Sequence, residues 1–337
     1  MSLKKTKNKN ITLVYSCRAD LFLGENSMGK VTVVGSYIVA LVMDTDRIPV
    51  EGETVVGKNY HTTHGGKGSN MAVCASRLGA DVTFLGKVGK DSFGDGFVSL
   101  LKNENVDTNS VLYSDHIPTA VGFIIFTSRG TNSIVIDPAA NNDFLPKDIE
   151  ENRHIIESSD VIVSPLEIPL ETVLAAAKIA KRKGVKYILN PAPAVDLRKC
   201  DLSDFFALTP NETEARVCLG LEPNDPISDS DLAKALLNLG VENVILTLGA
   251  KGVLWVSNKG TYTIPTLKVK VVDSVGAGDA FNAGLAVGLA ENRSVTEALA
   301  LGVTTAALST QKRETIDSYP FREEVDKNIA EVLNYIT

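Results

Sequence analysis

The sequence predicts an α/β protein with a mainly parallel central sheet, helices on both faces of that sheet, and a small β-sheet lid. Two observations support this class. From residue 160 onward, short apolar segments alternate regularly with helical segments, which is typical of a parallel sheet covered on both faces. Residues 37–64 and 112–136, by contrast, contain few helical signals, so we expect them to form the lid beside the main sheet.

The first half of the chain is predicted to contain the start of the sheet and the lid. Val31–Ser36 (VTVVGS) reads as a buried strand that ends in a Gly-Ser turn. The glycine-rich run at 65–68 is followed by Ser69, a residue type that often caps helices, and by a helical apolar face. The other elements predicted here are a strand at Val82–Leu85, a helix around Phe97–Lys102, and a hairpin of 119–126 with 133–137.

The second half of the chain is predicted to supply most of the parallel sheet. Its predicted strands lie at 160–164, 186–190, 205–208 and 243–247. Its predicted helices lie at 170–183, from about 212, at 229–239, and near 279–291, 295–309 and 321–333. No internal repeat or low-complexity linker interrupts the pattern, so residues 30–337 are expected to form one α/β domain.

The composition is that of an ordinary globular protein and argues against several classes. The 337 residues are 44% hydrophobic with a net charge of −7 and no basic patch, so nucleic acid is not expected as a partner. The four cysteines lie far apart without a CxxC pair, which indicates reduced thiols. No apolar run reaches the roughly 20 residues that a membrane helix needs. Residues 1–29, with their basic start, are interpreted as an N-terminal extension.

The strongest chemical motif is the run 271–281 (VVDSVGAGDAF), where an apolar strand is predicted to lead through Gly-Ala-Gly into an alanine-rich helix. Small residues allow backbone N–H groups to approach a ligand, and a helix N-terminus carries partial positive charge. Gly276, Ala277 and Gly278 therefore predict an anion hole for a phosphoryl group, and Asp279 is placed to face an incoming hydroxyl. The alternative is that Asp279 only caps the helix.

A second motif is 65–70 (GGKGSN), which combines flexible backbone, one cation and one amide at a predicted helix start. No GxxxxGK[ST] run occurs in the chain, so this loop is not a P-loop. A functional loop and a simple loop with a solvated lysine both remain open from the local sequence.

A third motif is 209–214 (TPNETE), directly after a predicted buried strand. Asn211 and Glu214 are three residues apart on one helical face, where an amide and a carboxylate could hold hydrated Mg²⁺. The alternative is a capping box with Asn211 as the cap.

A fourth motif is 247–252 (TLGAKG), where a predicted strand opens into a glycine turn. Open α/β sheets bind ligands at this edge, although a plain β-turn would look the same in the sequence.

Taken together and in this order, the motifs resemble those of the ribokinase (PfkB) family of sugar and nucleoside kinases. Residues 65–94 resemble the N-terminal signature of that family, and 273–286 (DSVGAGDAFNAGLA) resemble its C-terminal signature, which is highly specific. The resemblance extends from about Val31 to Glu324. It also includes 190–194 (NPAPA).

The resemblance implies a ribokinase-like fold, ATP and Mg²⁺ as cosubstrate and cofactor, and a role for each motif. Asp279 matches the family's base for the acceptor hydroxyl, although a helix N-terminus is expected to make it a weak one. The amides of Gly276–Gly278 match the phosphoryl site, and Asn211 and Glu214 match the pair that organises Mg²⁺ and phosphates. The nucleotide loop is matched by Thr247, Gly249 and Gly252. The sugar-binding positions are matched by Gly66, Lys67, Asn70 and Glu167.

The chain departs from the family pattern after its first strand. Where ribokinases carry an asparagine and an aspartate that bind sugar hydroxyls, an ungapped alignment to Pro49 places Ile38 and Ala40. Aliphatic side chains cannot accept hydrogen bonds, so a less hydroxylated acceptor, or one with an apolar part, is expected. Asp44 lies farther along and is not expected to substitute.

A second departure concerns K⁺. The family resemblance implies a monovalent-cation site formed by six positions, and this chain has Glu314 where ribokinases have glycine. The implied positions are Asp273, Val275, Ser309, Lys312, Glu314 and Ser318.

The sequence therefore predicts a cytoplasmic, ATP-dependent carbohydrate kinase that acts on a small-molecule acceptor and forms a homodimer through the β lid. Two alternatives remain open at this point. The chain could be a kinase for a nucleoside or another less polar alcohol, or a catalytically weak paralogue that binds a metabolite and regulates.

Overall fold

The computed structural model describes residues 28–336, so the predicted extension at 1–29 lies almost entirely outside the described residues. The strands are β1 (Lys30–Val34), β2 (Ile38–Thr45), β3 (Lys58–Gly65), β4 (Asp81–Gly89), β5 (Val111–Ser114), β6 (Val121–Thr127), β7 (Asn132–Asp137), β8 (Val161–Ser164), β9 (Lys186–Leu189), β10 (Ala207–Leu208), β11 (Asn243–Thr247), β12 (Val253–Ser257) and β13 (Gly260–Ile264). The helices are α1 (Lys67–Arg77), α2 (Ser92–Asn103), α3 (Ala139–Asn142), α4 (Pro146–Glu151), α5 (Arg153–Glu157), α6 (Leu170–Lys183), α7 (Glu212–Cys218), α8 (Asp229–Leu237), α9 (Ala277–Ala290), α10 (Val295–Ser309) and α11 (Arg322–Ile336).

The main sheet has nine strands in the order β13-β12-β11-β10-β9-β8-β1-β4-β5. Its neighbours run parallel from β11 to β5, and only β12 and β13 add antiparallel pairs at one edge. The predicted mainly parallel α/β fold is therefore confirmed. Because parallel strands end at the same edge of a sheet, the loops after β1, β8, β9, β10 and β11 lie on one side of the molecule.

Helices cover both faces of the sheet because alternate strand residues point to opposite sides. On β1, Val31 and Val33 belong to one hydrophobic cluster, which includes α1, α9 and α10. Val34 belongs to a second cluster with residues of α6 and α8. Helices α9 and α10 pack closely: Gly284 and Gly288 leave no room for a side chain where the two helices meet.

The lid is a separate four-stranded sheet in the order β3-β2-β6-β7. Strands β6 and β7 form the predicted antiparallel hairpin, and β6 runs parallel to β2. The predicted lid boundary at residue 112 is wrong. Residues Val111–Ser114 pair with β4 at the edge of the main sheet, because Val111 is buried there. The second part of the lid begins only at Val121.

Three further local predictions are wrong. Val271 and Val272 do not form a strand: they are 59% and 50% exposed, and the N–H groups of Val272 and Asp273 donate to the Thr310 carbonyl. Ser69 does not cap α1 but lies inside it, where its hydroxyl donates to the Gly65 and Gly66 carbonyls. The strand predicted at 205–208 has only its last two residues, because Phe205 closes a turn onto Leu202.

Among residues 28–336, no helix is long and apolar enough to cross a membrane.

Candidate active site

Two helix N-termini meet where the strands of the main sheet end. Helix α1 begins after Gly66 and α9 begins after Gly276, and both glycines have positive φ angles, 91° and 78°. This conformation costs glycine least, so it lets each loop turn sharply into its helix. Neither helix has a side-chain cap. At the start of α1, however, the N–H groups of Lys67, Gly68 and Ser69 donate to Glu167 and Ser36. It is therefore the start of α9 that leaves amides available to a ligand, since the first N–H groups of a helix have no partner within the helix.

Asp279 lies in the first turn of α9 and is only 4% exposed. Its Oδ2 accepts a hydrogen bond from Asn70 Nδ2 (2.8 Å), and its Oδ1 lies 3.9 Å from Lys67 Nζ. The side chain forms no helix cap, so the alternative that Asp279 is a capping residue is not supported. Instead, the sequence-predicted residues of α1 and α9 come together around one buried carboxylate.

Asn70 has an unused hydrogen-bonding atom at this point. Its side chain is 6% exposed, and its Oδ1 is a buried acceptor without a partner, the only such side-chain atom within the described chain. A buried carbonyl oxygen without a donor costs free energy, so a hydroxyl group of a bound molecule would satisfy it. Asn70 can thus connect an acceptor hydroxyl with Asp279.

Glu167 joins the loop after β8 to the start of α1. Its Oε2 accepts hydrogen bonds from the Ser36 hydroxyl (2.5 Å) and from the Lys67 backbone N–H (2.7 Å). The predicted acceptor residues Gly66, Lys67, Asn70 and Glu167 therefore form one continuous polar wall.

The electrostatics of the site depend on burial and on one cation. Burial raises the pKa of Asp279, and Lys67 and the Asn70 hydrogen bond oppose that shift. Burial likewise raises the pKa values of Glu167 and Glu214. The nearby Asp279 carboxylate is the main cause that raises the pKa of Lys67. The expectation that Asp279 is a weak base stays a prediction, and burial acts against it because desolvation favours the protonated form.

The glycines of the predicted anion hole have different structural requirements. Gly276 has a positive φ, and a Cβ there would lie 2.3 Å from Thr315. At Gly278, in contrast, a Cβ would meet no atom within 4 Å. The Ala277 N–H donates to the Ser274 carbonyl at 3.3 Å, so it is partly engaged. Gly276 is needed for the fold of the loop, whereas Gly278 leaves space for a ligand.

A cavity of about 700 Å³ opens beside this helix start. The predicted nucleotide-binding residues line it together with Ala277 and Gly278. Apolar side chains such as Phe281 and Val303 form the rest of its lining. The predicted residues that line it are Asn211, Thr247, Gly249 and Gly252. A cavity of this size, mostly apolar with a few polar groups, is typical of a small-molecule site.

Asn211 and Glu214 form the capping box of α7, so the structural alternative for this pair is confirmed. The Asn211 N–H donates to Glu214 Oε2 and the Glu214 N–H donates to Asn211 Oδ1, each at 2.8 Å. The box fixes both side chains, and Asn211 lines the cavity next to Thr247, with which its backbone pairs. Capping and ligand binding are therefore compatible.

A buried network that the sequence reasoning missed links this loop to the anion hole. The Thr209 hydroxyl donates to Asn282 Oδ1 (2.7 Å), and Asn282 Nδ2 donates to the Gly278 carbonyl (2.8 Å). Asn190 Nδ2 donates to the Thr209 carbonyl (2.9 Å). Thr209 and Asn282 are each 1% exposed. Two polar residues at the end of β10 and in the apolar helix α9 were the available signal, but their pairing required the fold.

The residues of the predicted K⁺ site come from two adjacent segments. The hydrogen bonds from 272–273 to Thr310 bring the loop with Asp273 and Val275 next to the loop after α10. Glu314 has a φ of 67°, the backbone conformation that glycine adopts most readily. The Lys312 side chain lies 4.0 Å from Glu324. Ser309 and Ser318 are both buried.

Comparison with known proteins identifies the family of the chain. The family model described as pfkB family carbohydrate kinase matches residues 28–322. A ribokinase of Haemophilus influenzae is 39% identical over 294 residues, which cover 87% of this chain and 96% of that protein. A deoxyribokinase of Salmonella typhi is 34% identical over 305 residues, which cover 89% of this chain and 98% of that protein.

Solved structures show the same fold. The Arabidopsis thaliana ribokinase complexed with ribose and ATP has a TM-score of 0.84 and 30% identity, covering 90% of this chain and 99% of that one. Ribokinase from Thermotoga maritima has a TM-score of 0.82 and 32% identity, covering 90% and 100%. The chain belongs to the pfkB family of carbohydrate kinases. It is an ATP-dependent carbohydrate kinase with a ribokinase-like fold.

Proposed function

We propose that the protein transfers the γ-phosphoryl group of ATP to a hydroxyl of a sugar or sugar-like molecule, with Asp279 as the catalytic base. The observation that carries this proposal is the position of the buried Asp279 carboxylate. It lies between the polar wall formed by Lys67 and Asn70 and the open space at Gly278 beside the cavity. A carboxylate there can face a hydroxyl on one side and a phosphoryl group on the other.

The proposed reaction assigns one task to each part of the site. ATP lies in the cavity along Thr247, Gly249 and Gly252, with its γ-phosphoryl group at the amides of Gly276–Gly278. The acceptor hydroxyl lies beside Asp279, which takes its proton as the new O–P bond forms and ADP leaves. The transition state of phosphoryl transfer is loose, so positioning and charge stabilisation contribute most of the rate.

The raised pKa of Asp279 suits this task. A base with a higher pKa accepts a proton more readily, provided that it stays ionised at the working pH. Lys67 opposes the rise of that pKa and thus favours the charged form of the carboxylate. The Lys67 ammonium also faces Glu167 and Glu214, so it can hold an anionic phosphate within a site of net negative charge.

Mg²⁺ is proposed to bind near Glu214, through water, and to neutralise charge on the nucleotide phosphates. Carboxylate and amide oxygens at Glu214 and Asn211 suit this hard cation. Between residues 28 and 336, no group of three or more His, Cys, Asp or Glu side chains could hold a metal ion. The nucleotide must therefore supply further ligands, as is usual for Mg²⁺ at phosphate-transfer sites.

K⁺ is proposed to bind beside the anion hole, and the donor set fits a large monovalent cation. Asp273 supplies a carboxylate, Ser309 and Ser318 supply hydroxyl oxygens, and Val275, Lys312 and Glu314 can supply backbone carbonyls. The left-handed backbone at Glu314 retains the turn that glycine would make. Bound K⁺ would steady the loop that presents Gly276.

A homodimer through the lid is also proposed. Large apolar side chains are exposed on one face of the lid, where Phe123 (54%) is paired with Val135 (69%). Exposed apolar patches of this kind mark interaction surfaces. Replacing Phe123 and Val135 with serine should convert a dimer to a monomer in sedimentation measurements, whereas a wild-type monomer would contradict the proposal.

The function is tested by an ADP-release screen of the full chain over pentoses, deoxypentoses, hexoses and nucleosides, with Mg²⁺ and with or without K⁺. We expect acceptor-dependent ADP formation with at least one sugar and a higher rate with K⁺. Turnover of nucleosides alone would replace the sugar acceptor by a nucleoside. Metabolite binding without ADP formation would indicate a regulatory protein.

A further inference from the structure

The acceptor site has a second wall, which is apolar, formed by one face of the lid strand β2. Side chains alternate along a strand. Tyr37 and Val39 point toward the main hydrophobic core, where Tyr37 stacks on Phe97 at 4.1 Å. Ile38 and Ala40 therefore point to the opposite face of the lid. Both are only 8% exposed, yet neither belongs to a core cluster of the domain.

The neighbours of these two residues in the lid are also mostly apolar. Ala40 pairs with Gly122 on β6, and Gly122 pairs with Ile136 on β7. A Cβ built on Gly122 would lie 3.5 Å from Ile38 Cγ2, so these side chains share one face. Thr63, Ala40, Gly122 and Ile136 thus form one row across the four strands of the lid, and Thr63, opposite Ala40 on β3, is its polar member. No charged side chain stands in that row among the described residues.

This apolar face adjoins the polar wall at the turn between β3 and α1. Ile38 pairs with Gly65, and its backbone N lies 2.8 Å from the position of a Cβ on Gly66. Lys67 and Asn70 follow directly in α1, and both contact Asp279. Ser36, two residues before Ile38, donates to Glu167. At the start of β2, the polar wall of Lys67, Asn70 and Glu167 therefore meets the apolar face of Ile38 and Ala40.

We infer that the acceptor is a deoxy sugar, whose hydroxyl-bearing edge faces Lys67, Asn70 and Glu167 and whose deoxygenated edge faces Ile38 and Ala40. This inference rests on the proposed function and specifies its acceptor. Residues two apart on a strand are about 7 Å apart, so the pair can cover one edge of a sugar ring. A hydroxyl pressed against that edge would lose its hydrogen bonds to water without gaining a protein partner.

The consequence is a large difference between acceptors. Each hydroxyl buried without a partner should lower kcat/KM roughly tenfold to a hundredfold, so two should lower it by about two to four powers of ten. Wild-type enzyme should therefore use 2-deoxy-, 3-deoxy- or 2,3-dideoxy-D-ribose at least about 100-fold more efficiently than D-ribose.

The test measures kcat/KM for these four sugars in the wild type and in the double variant Ile38→Asn/Ala40→Asp. The double variant should gain activity with D-ribose and lose its preference for the deoxy sugars. Val56→Asn, at a valine that is 94% exposed in the loop before β3, is the matched control and should keep the wild-type preference. If the double variant does not fold, sugar-induced shifts in the wild-type melting temperature still compare ribose with its deoxy analogues.

Efficient turnover of D-ribose by the wild type, near 10⁴ M⁻¹s⁻¹ or above on the general enzyme scale, would overturn the inference while leaving the proposed kinase function intact. Equal kcat/KM values for ribose and all deoxy analogues would overturn it as well. Failure of every sugar and nucleoside to release ADP would instead overturn the proposed function itself.

Discussion

Helices α9 and α10 are neighbours in the fold and carry an acidic residue at the same helical position, yet they use it differently. In α10, Glu297 is the third helical residue and accepts hydrogen bonds from the Ser294 N–H (2.9 Å) and hydroxyl (2.6 Å). In α9, Asp279 is also the third helical residue but leaves its helix start uncapped and faces Asn70 and Lys67 instead. The first carboxylate closes a helix end, and the second is held for a ligand.

This difference shows that the amides at the start of α9 are kept free at a cost in stability. A side-chain cap contributes about 1 kcal/mol to a helix. Gly276 has no side chain that could cap α9. The Asp279 carboxylate, which stands at the position of Glu297 in α10, is buried and does not bind the backbone at the start of its helix. A position that gives up local stability in this way is expected at a functional site.

The largest effect is expected from blocking the open space at the start of α9. Gly278→Val should lower kcat by at least about 10³-fold, because its side chain would occupy the phosphoryl position. The variant should fold, since no atom lies within 4 Å of the new Cβ. Gly96→Val, at a helical glycine that is equally open, is the control. A kcat within a few-fold of wild type would show that Gly278 does not contact the phosphoryl group.

Removal of the cation beside Asp279 should change the pH profile. Asp279 must be ionised to act, so kcat/KM falls as the pH falls through its raised pKa. Lys67→Met removes the charge that opposes this rise, so the acidic limb of kcat/KM should move to higher pH. Activity at neutral pH should fall about tenfold or more. An acidic limb that does not move in the variant would contradict the electrostatic role of Lys67. Lys90→Met, at an exposed ion pair with Asp115, is the control and should leave the pH profile unchanged.

A smaller effect is expected from the buried network behind Gly278. Thr209→Val removes the hydroxyl that binds Asn282 and leaves Asn282 Oδ1 without a donor. We expect kcat to fall about tenfold, with stability lower by about 1–3 kcal/mol. Thr209→Ser should restore both. If Thr209→Val lost stability but kept its kcat, the network would be purely structural.

The smallest effect on catalysis is expected at the capped helix. Ser294→Ala should lower the free energy of unfolding by about 1 kcal/mol, because it removes the cap of α10. Chemical denaturation measures this loss, and kcat should stay unchanged. A drop in kcat comparable to that of Thr209→Val would mean that the two helix starts are not functionally distinct.

The sequence predicted the parts of the fold with strong periodicity and clear boundaries. The helix at 170–183 and the strand at 243–247 match α6 and β11 residue for residue, and α10 begins and ends at the predicted residues. Two of the wrong predictions, the strands at 271–272 and 205–208, concern short apolar runs. Val271 and Val272 looked like a buried strand, but their backbone groups bind Thr310 in a loop. The local sequence of two valines carries no information about that distant partner.

The site was predictable to a similar extent. The motifs named the residues that meet around Asp279, because glycine-rich turns and polar residues at strand ends are visible along the chain. The pairing of Thr209 with Asn282 was not visible, since 73 residues separate them. The burial that raises the pKa of Asp279 was not visible either, because burial is a property of the packed structure and not of the local sequence.

The most direct test of the account compares the two carboxylates in a single-turnover experiment. The rate of γ-phosphoryl transfer to a saturating acceptor is measured in Asp279→Asn and in Glu297→Gln, together with ATP affinity and melting temperature. We predict that Asp279→Asn loses at least about 10²-fold in the transfer rate, the typical contribution of a general base, while ATP affinity and folding are retained. Glu297→Gln should transfer at the wild-type rate. Near-normal transfer by Asp279→Asn would contradict the central claim that this buried carboxylate is the catalytic base.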